Sequence, residues 1–171
     1  MSASDLSAAL WQERRQLELL LFRLETQRLH VGAGNVEWLS LMASEIEAVL
    51  DRLGFEALAR SVESAAVAAL WGVPAQATLV ELIAAAPAGP WPGILREHLD
   101  ALNALLARLG EAARVNEEAL LTLPLPGRHG PAGTAGLLDQ LATSGNLERA
   151  LAVVRRAPQP ALAQYLGGER D

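Results

Sequence analysis

From Leu95 to Leu123 the apolar positions alternate spacings of four and three without a break: Leu95, Leu99, Leu102, Leu106, Leu109, Ala113, Asn116, Leu120 and Leu123. A seven-residue repeat of this kind holds one apolar stripe on one side of an α-helix and leaves little room for any other fold. A helix from about Pro92 to Leu123 is roughly 48 Å long at ~1.5 Å per residue, so the chain must supply partners of matching length. Asn116 is the polar member of the stripe. An amide there is either partly hydrated near an open bundle end or buried as a register-setting contact.

Two earlier segments provide the partners. From about Asp5 to Val31, Leu10, Leu17, Leu24 and Val31 recur every seven residues, with Leu6 and Leu20 at the companion positions and Glu13 and Gln27 as polar interruptions. Leu21 and Phe22 widen this face beyond a two-stranded seam, which suits a bundle of three or more helices. From Val36 to about Trp71, Leu39, Met42, Ile46, Val49 and Leu53 hold one register. After Gly54-Phe55 the stripe resumes out of phase as Leu58, Val62, Ala65 and Ala69, a slip that can mark a kink. Thr78-Leu79-Val80-Glu81 fits a capping box that opens a short helix ending at Pro87. Trp91, between Pro90 and Pro92, is placed to plug one end of the bundle.

Beyond Leu123 the stretch from Pro124 to Gly133 is rich in Pro and Gly and cannot sustain a helix. Three amphipathic pieces follow: Leu137, Leu138 and Leu141; then Leu147, Leu151 and Val154 after Ser144-Gly145-Asn146; then Leu162, Tyr165 and Leu166. Each is too short to be stable alone in water. The expected architecture is all-α: an elongated antiparallel bundle of three long, coiled-coil-like helices, with a short connecting helix and short C-terminal helices. Residues 1–123 are expected to form the bundle, 124–136 a linker, and 137–171 short helices that either fold back on the bundle or act as a binding arm.

Charge and motif content narrow the function classes. The net charge is −6, the basic residues number 14 and are all Arg, and there is no Cys. An acidic surface repels phosphate backbones and anionic lipid, so neither nucleic acid nor a membrane surface is an expected partner. Thiolate metal sites and disulfides are excluded. No apolar run approaches the ~18–20 residues of a membrane span, and Met1 to Asp5 lacks the basic-then-apolar pattern of a secretory signal, so a cytoplasmic location is expected. His30, His98 and His129 lie in separate segments and no Glu-x-x-His pair occurs, which removes the inward-facing di-metal motif of helical bundles. His98, beside Glu97, is expected on the rim of its helix. Without Lys there is no phosphate-binding loop, and Gly-x-Ser-x-Gly is absent. No enzyme, cofactor or metal is expected, and what remains is a helical protein that binds another helix.

The stretches Leu10-Trp11-Gln12-Glu13-Arg14 and Leu17 to Glu25, then Trp38-Leu39, Glu45 to Leu50 and Leu58-Ala59-Arg60, then Asn116 to Leu121, resemble the FlgN-type flagellar export chaperones. The likeness runs from about residue 5 to residue 122. It implies a cytoplasmic chaperone without cofactor that binds the C-terminal helical regions of the hook-associated proteins FlgK and FlgL and presents them to the flagellar type III export apparatus. In the family the third helix continues into the client-binding region, whereas here Pro124 and Pro126 interrupt it. Leu137, Leu138, Leu141, Leu147, Leu151 and Val154 are therefore the candidate client-binding residues. No export-gate docking motif is matched, Tyr165 being the one tail residue considered for that role. A self-associating coiled-coil scaffold is the alternative, and the wide apolar face is compatible with a homodimer.

Overall fold

Ser2 accepts a hydrogen bond from the Asp5 amide and starts the first helix. From there the apolar positions 6, 10, 17, 20, 24 and 31 stay on one buried face. The computed structural model describes residues 2–123 and 134–168, with side chains for all of these except 134–140. Its helices are α1 (Ala3–Gly32), α2 (Leu39–Trp71), α3 (Leu79–Ala85), α4 (Trp91–Leu121), α5 (Thr134–Arg155) and α6 (Pro160–Leu166), with a 3-10 turn at Val36–Trp38. The three long helices are nearly equal at 30, 33 and 31 residues, so they run side by side for most of their length. The expected all-α bundle of long helices is what forms.

Cross-helix contacts give the directions. Glu13–Arg60 and Arg23–Glu45 set α1 against an antiparallel α2. Ser7–His98 and Gln27–Asn116 set α4 parallel to α1. Gly72, in the left-handed region at φ 73°, closes α2, and the capping box of Thr78 and Glu81 opens α3 as expected. Through α3 the chain crosses one end of the bundle from α2 to α4. α5 then packs on both α2 and α4 as a fourth helix, and α6 continues along α3 and α4.

The fourth helix departs in detail from the short pieces read in the sequence. Thr134 to Arg155 is a single helix that passes through Ser144-Gly145-Asn146, where a break was expected. Helix propensity is a weak prior, and packing from Leu147 onward outweighs the local turn composition. The stretch from Pro124 to Gly133 lies outside the described residues.

α2 runs unbroken through its expected slip. Its buried face continues in the original register as Leu53, Glu56, Arg60, Ser64 and Val67. The out-of-phase apolar residues face outward instead: Phe55 is 70%, Leu58 65% and Val62 46% exposed. The lower half of α2 is thus polar within and apolar without.

The polar residues of the seams meet in pairs across the bundle. Asn116 is buried and donates to the Leu24 carbonyl at 2.7 Å and to Gln27 Oε1 at 2.9 Å, so of its two readings the register-setting one holds. His98 is not on the rim: it is 2% exposed, facing Ser7 Oγ at 2.9 Å and Trp11 edge-on at 5.3 Å. Arg14 lies 3.4 Å from Nδ1, which leaves Nε2–H to donate to Ser7. Burial and the neighbouring Arg14 charge both hold the imidazole below its ordinary pKa. Asn116→Leu should destabilise the protein by about 1–3 kcal/mol, because it leaves the buried Gln27 Oε1 without its donor in an apolar layer. Gln27→Leu with Asn116→Leu should recover most of that loss, and urea unfolding of the three variants decides it.

Candidate functional site

A protein of this kind acts through the helix faces it leaves open or can open, so the site is a matter of which apolar strips are covered and by what. α1 is buried between α2 and α4 along its whole seam. The groove between α2 and α4, on the side away from α1, is filled by α5. Leu147, Ala150, Leu151, Val153 and Val154 are buried in it, Val154 fully. Around that strip lie ion pairs: Arg149 with Glu47 at 3.1 Å, Arg155 with Glu117 at 2.8 Å, and Arg156 with Asp51 at 3.8 Å. Their side chains are about one-third exposed or more, and such pairs contribute ~0–1 kcal/mol each. The apolar strip, not the charges, holds α5 in place.

The candidate residues read from the sequence divide accordingly. Leu147, Leu151 and Val154 line the interior of the bundle. Leu141 is 61% exposed, and none of residues 141–146 is buried. Leu137 and Leu138 fall in the opening turns of α5, and their side chains lie outside the described residues. Among the residues whose side chains are described, the helix enters its groove from Leu147 onward.

At the other end, α6 and the loop after α2 close over the lower half of α2. They border a groove of about 680 Å³ lined by Arg60, Ser64, Ala77 and Tyr165 among others. Inside it Arg60 Nε meets Glu13 Oε2 at 2.7 Å, with both side chains almost wholly buried. The Tyr165 ring lies over the Arg60 guanidinium at 4.2 Å. Burial pushes the Glu13 carboxyl above its usual pKa, with Arg60 pulling it back, and burial likewise raises the Tyr165 phenol. A guanidinium held by a carboxylate on one side and an aromatic face on the other is spent on structure. The cluster fastens α6 to the α1–α2 pair.

The outward face of α2 at Phe55, Leu58 and Val62 did not figure among the candidate residues. Its signal was the phase slip in the stripe, which marks an apolar face that leaves the core rather than a kink. Among the described residues no helix is long and apolar enough to cross a membrane, and no group of three or more His, Asp or Glu is placed to hold a metal ion.

No curated protein and no solved structure matches the chain. A family model, that of the FlgN protein, matches residues 1–123, which are α1 to α4 with the residues joining them. The match covers well over half of the 171 residues, and the long-helix bundle agrees with the likeness carried by the Leu10–Glu25 and Asn116–Leu121 stretches. The chain belongs to the FlgN family of flagellar export chaperones.

Proposed function

We propose that the protein is a cytoplasmic chaperone that holds the C-terminal amphipathic helices of the hook-associated proteins FlgK and FlgL until the export apparatus takes them. The observation that supports this most is the fourth helix. α5 lies beyond the 123 residues matched by the family, yet it occupies the α2–α4 groove in the manner of an amphipathic guest. A client helix with the same stripe competes for the same groove. In this reading Leu147, Leu151 and Val154 seal the groove until a client arrives, and Leu137, Leu138 and Leu141 offer the first contact. No cofactor enters the cycle.

Co-expression with FlgK or FlgL, followed by amide exchange on the isolated complex, tests it. One of the two is expected to co-purify, with α5 amides exchanging faster in the complex than in the free protein. Leu141→Glu should weaken client binding about tenfold, the equivalent of ~1.4 kcal/mol. Failure of both clients to co-purify overturns the client assignment. Tight binding with α5 protection and the Leu141→Glu affinity both unchanged overturns the role of the tail.

A further inference from the structure

Among the described residues, three arginines stand over aromatic rings. Two of them are also held by a carboxylate: Arg60, over Tyr165, by Glu13, and Arg23, over Phe22, by Glu45. The third is Arg14, 3.9 Å from the centroid of the Trp11 ring, and no described carboxylate pairs with it. Its guanidinium has one edge free. Nη1 lies 3.4 Å from His98 Nδ1. Nε is buried without a hydrogen bond, while Nη2 beside it also lacks one but reaches the surface. This same Nε–Nη2 edge is the one with which Arg114 grips Glu111, at 3.0 and 2.8 Å. An unbonded buried donor carries a desolvation cost that an acceptor on the edge removes.

We propose that Arg14 and Trp11 form a recognition site for an acidic peptide segment of a partner protein, whose carboxylate seats on the Nε–Nη2 edge and whose neighbouring apolar side chain covers the Trp11 ring. Charge selects that occupant. The chain has a net charge of −6, so an acidic segment is repelled from most of the surface and is drawn in only where cations stand unpaired. Arg15, next in the sequence, is exposed and also without a described carboxylate partner, and it adds to the local positive field. A basic segment finds no acceptor on this edge, because a guanidinium carries donors alone. The planar fork matches a carboxylate in two parallel hydrogen bonds.

Both parts of the site are set before a ligand arrives. His98 meets Arg14 through Nδ1 and Trp11 edge-on at 5.3 Å, and is itself buried. Trp11 remains 46% exposed, which leaves an apolar surface beside the cation. A site fixed in this way loses little freedom on binding. It belongs to α1, away from the α2–α4 groove that α5 fills, and it is measured without any client. Its failure therefore leaves the client assignment untouched.

NMR of the full chain reads the Arg14 Nε–H and Trp11 indole signals, assigned by their loss in Arg14→Gln and Trp11→Leu. The probe is the blocked peptide acetyl-Leu-Glu-Glu-Leu-amide at low salt, which should shift both signals with a Kd of about 1 mM. Its isostere acetyl-Leu-Gln-Gln-Leu-amide should bind at least about tenfold more weakly, because it forms no charge-assisted pair. That comparison uses the unaltered protein and depends on no variant folding. Arg14→Gln, read at the Trp11 indole, should lose about tenfold in affinity for the acidic peptide. Inorganic phosphate, which has no apolar part for the ring, should bind at least about tenfold more weakly than the peptide. Absence of shifts up to ~10 mM peptide overturns the proposal. So does an isostere that binds as well as the acidic peptide, or an Arg14→Gln variant that binds it as well as wild type. Phosphate binding as tightly as the peptide overturns the peptide as occupant.

Discussion

Arg60→Ala should destabilise the protein by about 3–5 kcal/mol, a large share of the ~5–15 kcal/mol that holds a domain of this size. The arginine sits in the lower half of α2, where Glu13 reaches it from α1 and Tyr165 covers it from α6. Removing it leaves Glu13 buried without a cation, and the loss measures that stranded charge more than the worth of the pair. The pair itself is not expected to be strongly stabilising, because taking two ions out of water offsets much of their attraction. Glu13→Leu with Arg60→Met should therefore restore most of the stability lost by Arg60→Ala. Burial already raises the Glu13 pKa above its ordinary value of 4.5. A carboxyl whose folded pKa exceeds its unfolded one keeps the folded state favoured below the unfolded value, and that contribution is lost as pH rises through the folded value. The gap between Arg60→Ala and wild type should accordingly be narrower at about pH 4 than at pH 7. Thermal melts at the two pH values check the sign, and a penalty that is the same at both rules out the stranded carboxylate as its source.

The same pair shows how far the fold was legible in the sequence. The seven-residue seam of α1 was readable, including Glu13 and Gln27 as its interruptions, because it faces neighbours along its whole length and periodicity reports that face directly, whereas Phe22, expected to widen the apolar face, is 58% exposed. In α4 the stripe located one face, yet Leu105 and His98 are buried as well, and Leu106 only half. That helix meets α1 on one side and α3, α5 and α6 on the other, and one heptad seam describes a single side. In α2 the reading fails at Gly54, because it takes apolar to mean inward. The inward residues there are Glu56, Arg60 and Ser64. Arg60 is tolerated within only because Glu13, 47 positions earlier, stands opposite, and no local pattern carries that partnership. Glu13, Arg60 and Asn116 all lie within the stretches that carry the family resemblance. The resemblance thus tracks the buried polar contacts that fix helix register, and not only leucine spacing. The tail was harder to read, because short amphipathic pieces look alike whether they cover a groove or wait for a partner. The leucines at 137, 138, 141, 147 and 151 are equivalent in the sequence, and only packing separates exposed Leu141 from buried Leu147 and Leu151.

Val154→Asp should release α5 from the bundle. Val154 has no exposed surface, and an unpaired carboxylate at its position opposes docking by about 3–5 kcal/mol. Global unfolding is not the cheapest escape. α1 packs against α2 and α4 directly, whereas α5 packs on α2 and α4 from outside that trio, so the helix can leave without parting the other three. The exposed ion pairs of Arg149 and Arg155 contribute too little to keep it in place once the apolar strip is spoiled. The variant should retain most of its helical signal, bind a hydrophobic dye, and be cut by protease within α5 faster than wild type. Val154→Ala keeps the site apolar and should show these changes weakly or not at all. The consequence for clients runs the other way. A groove that its own helix occupies binds a guest with an affinity reduced by the fraction of time it stands open. Val154→Asp should therefore bind a client C-terminal helix more tightly than wild type does, even as its own tail comes loose. Dye binding and proteolysis with no gain in client affinity would separate the two roles, leaving α5 as a structural fourth helix and placing the client elsewhere on the bundle.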